Sequence, residues 1–271
     1  RISRFGVWAT SWTTDQAGPI TKTVEDNAIA MECLAVHDPK DLVSLNLESS
    51  EYRSGVMGGV GGLKIGLPVD SWVWKEWINQ DEEGAVRNAV GVLEELGAEI
   101  VELSLPLAYE ARNNSLAAEG AVWLRDNFSN DALQEWEELH TQLERGETQS
   151  FTEYLHGQQK RMAIRQEAIA ALQRVDVILM PTGNTIGDKW DAINANIRGR
   201  DVPARSRAVY LNGMASQAGL PAISIPCGFA KEERFPVGLQ LVGRDLEEAL
   251  VLRVAYAYEQ ATPWHQQHPP V

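Results

Sequence analysis

"VRNAVGVLEELGAEIVELSL" (86–105) carries two periodicities back to back. Val86, Ala89, Val90, Leu93 and Leu96 recur at helical spacing, Gly97 closes the helix, and "EIVELSL" (99–105) then reads as a strand. The strand "GLKIGLP" (62–68) lies on the other side of this helix, whose start falls near Asp81, so the three form a strand, helix, strand unit of the kind that builds parallel sheets. Further on, "VDVILMPT" (175–182) is a strand of the buried type, and "PAISIPCGF" (221–229) and "FPVGLQLVG" (235–243) are two more. The expected fold class is α/β, a mixed β-sheet covered by helices on both faces.

The helices carry their own punctuation. Thr23 is an N-cap with Asp26 at N3, and Val24, Ala28, Met31 and Ala35 mark a helix over 24–36 that "HDPKD" (37–41) ends through Pro39. A polar linker runs to about residue 55. Residues 107–174 read as helical, in segments near 107–128 and 131–145 and a long one opened by the capping box Ser150 to Glu153. A polar loop then leads to a helix near 203–218, and Asp245 and Glu248 open a last helix to about Gln260. Residues 262–271, ending "HQQHPPV", are expected to be a loose tail.

With 271 residues, 44% of them hydrophobic, the chain can bury one large core. No run of about 18 apolar residues is present to span a membrane, and no basic stretch precedes a short apolar one in the secretory pattern. The net charge of −14 repels phosphate backbones and anionic lipid, which argues against nucleic-acid and membrane-surface roles. Two cysteines, Cys33 and Cys227, make no disulfide framework and suit a reducing, cytoplasmic setting.

Local motifs for chemistry are missing. The glycines of "GVMGGVGGLKIG" (55–66) match neither the Walker nor the dinucleotide spacing, and read as a flexible lead-in to a strand. His265 and His268 lack the further ligands that a metal site needs, so no metal and no cofactor is expected. No G-x-S-x-G elbow occurs, and none of the fourteen serines has a lysine three residues on. Cys33 and Cys227 read as packed thiols. Of Trp72, Trp74 and Trp77 in "SWVWKEW", one or two plug the core and one lies on the surface, or they line an apolar, aromatic substrate channel.

In chain order, "RISRFG" (1–6), "DQAGPITKTVEDNA" (15–28), "HDPKD" (37–41), "GLKIGLP" (62–68), "VDVILMPT" (175–182), "AGLPAISIPCGF" (218–229) and "PVGLQLVGRDLEEALVLRVAYAYEQ" (236–260) resemble the amidase signature family. The resemblance implies that 1–271 is the C-terminal portion of a single domain that cleaves the C–N bond of an amide. Its serine nucleophile, the bridging serine in a cis peptide and the lysine base would all precede residue 1, so no catalytic residue is assigned here. The missing N-terminal half would be a partner, beside a small-molecule amide, and a homo-oligomer of the chain is left open. By the same resemblance Asp15, Gly18 and Pro19 are structural, and Trp12 and Gln16 lie nearer the pocket. Arg161, fifteen residues before Asp176, is a recurrent family arginine, read either as substrate-binding or as a salt-bridged structural residue. Pro181, Thr182 and Ile186 follow the strand that ends near the pocket. Glutamine-using relatives carry an acid about nine residues before "AGLPAIS", where this chain has Val209, which favours a small apolar or aryl amide. An esterase or carbamate hydrolase of the family, or a non-catalytic scaffold descended from it, are the alternatives.

Overall fold

The structure, a computed structural model, describes residues 1–47, 51–70, 72–76, 78–183, 194–203, 209–230 and 235–268. Five strands form the main sheet: β1 (Lys64–Pro68), β2 (Glu99–Leu103), β3 (Val177–Pro181), β6 (Ala222–Phe229) and β7 (Pro236–Val242), in the order β2-β1-β3-β7-β6. β1 is parallel to both β2 and β3, with Ile65 opposite Ile100 and Val177, whereas β7 is antiparallel to β3 and β6. The mixed sheet read from the sequence is therefore the one observed. All five residues of β3 are buried, as an apolar central strand requires.

Residue parity places the helices. Ser224 pairs with Gln240, and Gln240 Nε2 donates to the Leu211 carbonyl of α8 (Val209–Ala218), so these side chains face α8. Gly228 pairs with Val237 on the opposite parity, and a Cβ there would come within 3.1 Å of Ala85 on α3 (Gln80–Glu95). Helices thus cover both faces. α3 has the expected buried stripe of Val86, Ala89, Val90 and Leu93, is opened by a capping box between Asn79 and Glu82, and ends at Gly97 with φ +93.

Local signals set most boundaries. Thr23 caps α1 (Val24–Leu34), and Ser150 with Glu153 forms the capping box of α7 (Phe151–Leu172). Residues 107–128 are not one helix: a 3-10 stretch, Ala108–Asn113, precedes α4 (Ala117–Asn127). The break falls where Asn114 turns its amide to the Gly157 carbonyl and the Gln217 side chain. The next segment divides into α5 (Asn130–Glu135) and α6 (Glu137–Glu147) at Trp136, whose backbone is extended. Within the expected polar loop, β4 (Asn194–Ile197) and β5 (Arg200–Pro203) form a hairpin turned by Arg198 and Gly199, both at positive φ. The Arg198 side chain offsets that backbone cost through bonds to the carbonyls of Ile78 and Trp74 and to the Glu83 carboxylate.

The two readings of the tryptophans are decided in favour of the core, and three other expectations change. Trp72 and Trp74 sit in a π-helical turn, Trp72–Glu76, and are buried, with Trp74 Nε1 donating to the Pro68 carbonyl; they are core residues, and Trp77 lies outside the described residues. The glycine-rich stretch is not a loose lead-in. It forms α2 (Tyr52–Gly55) and a 3-10 turn, Val56–Gly58, and Arg253 of α9 (Glu248–Ala261) holds the carbonyls of Gly58 and Gly59. α9 opens at Glu248 after Leu246 at φ +64, while Asp245 pairs with Arg165 instead of capping. The tail is tied down as far as Gln267, since Trp264 packs edge-on against Phe229 and Lys22 Nζ donates to the Gln267 carbonyl. No helix among the described residues is long and apolar enough to cross a membrane.

Glu259 of α9 is buried, and its carboxylate accepts the Val24 N–H at 2.9 Å, closing an open donor at the start of α1. Burial raises the Glu259 carboxyl above its ordinary value. The native state then holds the proton more tightly than the unfolded chain, so the stability linked to this group is complete at low pH and is lost as pH rises through the folded-state value. Glu259→Gln removes that dependence. Melting temperatures of the two proteins, measured from about pH 4 to about pH 7, should show the wild type losing stability relative to the variant as pH rises.

Candidate functional site

The segment 10–16 is a tight turn held from within. Asp15 Oδ2 accepts the N–H groups of Thr10 and Ser11, and Arg4 Nη1 reaches the carbonyls of Trp12 and Asp15 while its guanidinium lies 5.5 Å from the Trp12 ring centre. The turn is anchored to α8 at Ser216, which donates to the Thr14 carbonyl and accepts at its own carbonyl from Gln16 Nε2. On its other side stands Glu119 of α4. That carboxylate accepts from Ser11 Oγ, from the N–H and Oγ1 of Thr13, from Tyr154 OH and from Gln158 Nε2. Burial, and then the Glu119 bond, push the Tyr154 hydroxyl above its ordinary value, so it is a neutral donor at neutral pH. The neighbouring Trp8 stacks on Trp123 of α4 at 5.5 Å.

Between this turn and the sheet runs a groove of about 990 Å³. It follows β6, the edge strand, whose Ala222, Ser224 and Pro226 are exposed although the adjacent β7 is nearly all buried. Trp12, Gln16 and Arg161 all line it, so the fold brings together three residues far apart in sequence. Asp15, Gly18 and Pro19 line it too. Arg161 has no salt bridge among the described residues; its Nε donates to Gln158 Oε1. The other lining cations are engaged: Arg1 with Glu248, Arg4 with Asp41, and Lys22 with the Gln267 carbonyl.

Thr182 does not line the groove itself but enters through Ser224, which does: the two hydroxyl oxygens are 2.7 Å apart. They sit over Gly238, where a Cβ would lie 3.0 Å from both, so the pair needs a glycine beneath it. Pro181, opposite Leu239 in the ladder, is buried and does not line the groove. Ile186 lies outside the described residues. Glu119, Tyr154, Gln158, Ser216 and Ser224 are the residues that sequence reasoning passed over, because no local motif marks an acid or amide that bonds across 35 or more positions.

No lysine or histidine is hydrogen-bonded to a serine or threonine hydroxyl among the described residues, and no three His, Cys, Asp or Glu side chains there are grouped as metal ligands. The arrangement offers an aromatic wall, amide and hydroxyl donors, and one guanidinium with no ion pair among the described residues: parts for binding and orienting a ligand.

The Amidase family model matches residues 1–252. The chain is 33% identical to a glutamyl-tRNA(Gln) amidotransferase subunit from Thermodesulfovibrio yellowstonii, over 99% of its own length and 59% of that protein's. It is 34% identical to an amidase of Pseudomonas putida, again over 99% of its length and 58% of the relative's. The chain therefore spans less than two thirds of these relatives. A structure described as a vestigial protein complex that reveals the evolutionary origins of an s-triazine catabolic enzyme superimposes with a TM-score of 0.85 at 24% identity, over 96% of this chain and 56% of the other.

The cysteines lie apart from the groove lining. Cys227 is buried at the β6 bulge, where burial, followed by the charge of Glu82, pushes its thiol up to about 12. Cys33 is exposed rather than packed. A disulfide reagent at about pH 7.5 should titrate Cys33 alone in the folded protein and both thiols after denaturation, because only accessible thiolate reacts.

Proposed function

The chain belongs to the amidase signature family, and from that premise we propose that it forms the substrate-binding part of a hydrolase that cleaves the C–N bond of a small apolar or aryl amide. The observation that carries this reading is the groove: a continuous lining from Trp12 through Gln16 and Arg161 to Ser224, on the free edge of the sheet, with no nucleophile and base paired in it among the described residues. Amide cleavage needs a hydroxyl whose proton is removed as it attacks, and donors aimed at the oxygen that becomes negative. In this proposal a serine, a second serine that relays the proton and a neutral lysine come from a preceding segment, which docks along β6.

The apolar surface around the groove supports that docking. Phe5, Val7, Trp12, Ile20, Leu42 and Leu45 are exposed, Ile20 completely. Exposed apolar side chains near a strand whose outer edge has no strand partner among the described residues are costly in water. Trp12 and Ile223 give the substrate's acyl or aryl portion an apolar wall, and Gln16 and Arg161 supply donors for its polar atoms. Val209 at the position where glutamine-using relatives carry an acid favours an amide without an α-ammonium group to recognise.

Two measurements test the reading. A fluorophosphonate probe should label the protein as its gene encodes it at one serine, and residues 1–271 alone at none; stoichiometric labelling of 1–271 would place the nucleophile in this chain and sink the proposal. Sedimentation of residues 1–271 alone should show self-association through the exposed face, whereas a clean monomer with cooperative unfolding speaks against a docked segment.

A further inference from the structure

Glu119 reads in the sequence as one more acid of an acidic helix, yet it collects donors from two segments remote from it in the chain. Ser11 and Thr13 come from the turn that carries Trp12, and Tyr154 and Gln158 from successive turns of α7. Gln158 is the pivotal one, because it has a second contact: its Nε2 donates to Glu119 Oε1 at 2.8 Å, and its Oε1 accepts from Arg161 Nε at 3.1 Å. The orientation of that amide follows from chemistry alone, since a carboxylate can only accept and a guanidinium can only donate.

The consequence for Arg161 is specific. A direct pair with Glu119 would occupy the guanidinium fork, whose two terminal amino groups match a carboxylate in bidentate fashion. A neutral amide between them holds only Nε. Both terminal amino groups then keep their charge and have no protein acceptor among the described residues, and Arg161 lines the groove. The same carboxylate that orients Gln158 also fixes Thr13, the neighbour of Trp12.

We propose that Glu119 and Gln158 are positioning residues, a relay that aims the Arg161 fork and the Trp12 turn into the groove as one unit, so that an acceptor atom on the bound amide meets a donor already oriented. This rests on the reading that the groove binds the amide. Pre-orientation removes the rotamer cost that a free arginine would incur on binding. The relay is therefore expressed in substrate affinity more than in the chemical step.

The test uses the protein as its gene encodes it, with 4-nitroacetanilide as the amide. Gln158→Leu and Arg161→Leu should each raise KM about tenfold with kcat within about twofold, and the double variant should match Arg161→Leu alone, since one acts only through the other. Additive effects, or an unchanged KM in Gln158→Leu, would overturn the relay. A second readout is independent of turnover: the Nε–H resonance of Arg161, assigned by its loss in Arg161→Leu, should exchange slowly with solvent in the wild type and at least about tenfold faster in Gln158→Leu and in Glu119→Gln. Unchanged protection in both variants also overturns it. A wild type that hydrolyses no amide sinks the amide reading, and the exchange measurement still decides on the relay.

Discussion

Burial of β3 on both faces is the constraint from which the rest of the molecule follows. Val177, Ile178, Leu179 and Met180 have no exposed surface, and each such side chain contributes about 1.5–3 kcal/mol when withdrawn from water. A strand with no polar face must be covered above and below and hydrogen-bonded on both edges. It is also the strand at which the sheet changes sense, parallel to β1 on one side and antiparallel to β7 on the other. The antiparallel side brings β6 to the margin, and Thr182, the residue after β3, brings a hydroxyl to Ser224 at the groove.

What was legible in the sequence is what is decided within a few residues. Thr23, Ser150 with Glu153, and Gly97 act through backbone groups no more than five positions away, and each marks the expected helix end. The five strands of the sheet are runs of apolar residues whose burial does not depend on which partner they find. The readings that failed concern elements shaped by distant groups. Asn114 leaves the helical path because its amide is claimed by Gly157 and Gln217, and Arg198 adopts a left-handed backbone because α3 and the tryptophan turn reward it. Neither residue carries a local sign of this.

The candidate site divides in the same way. Trp12, Gln16 and Arg161 were chosen by resemblance to a family, and the groove unites them, although Pro181 is packed away in the ladder. The network that joins the turn to α7 was invisible, because Glu119 in "AAEG" and Gln158 in "HGQQ" look like any solvated helix residues. The partners of Glu119 lie 35 to 108 positions away, and Gln158 is one of them. A groove of this kind depends less on unusual residues than on ordinary ones, such as Gly238, that allow two others to meet.

The contact between Glu259 and Val24 has a further meaning for how the molecule opens. α1 is a short helix with an ordinary cap, and by itself it would fray readily at its first turn. Because its leading N–H group is held by a buried carboxylate of α9, exchange of the Val24 amide proton with solvent requires α9 to move as well. The opening of α1 is thereby tied to α9, 235 positions away in the chain and one hydrogen bond away in space.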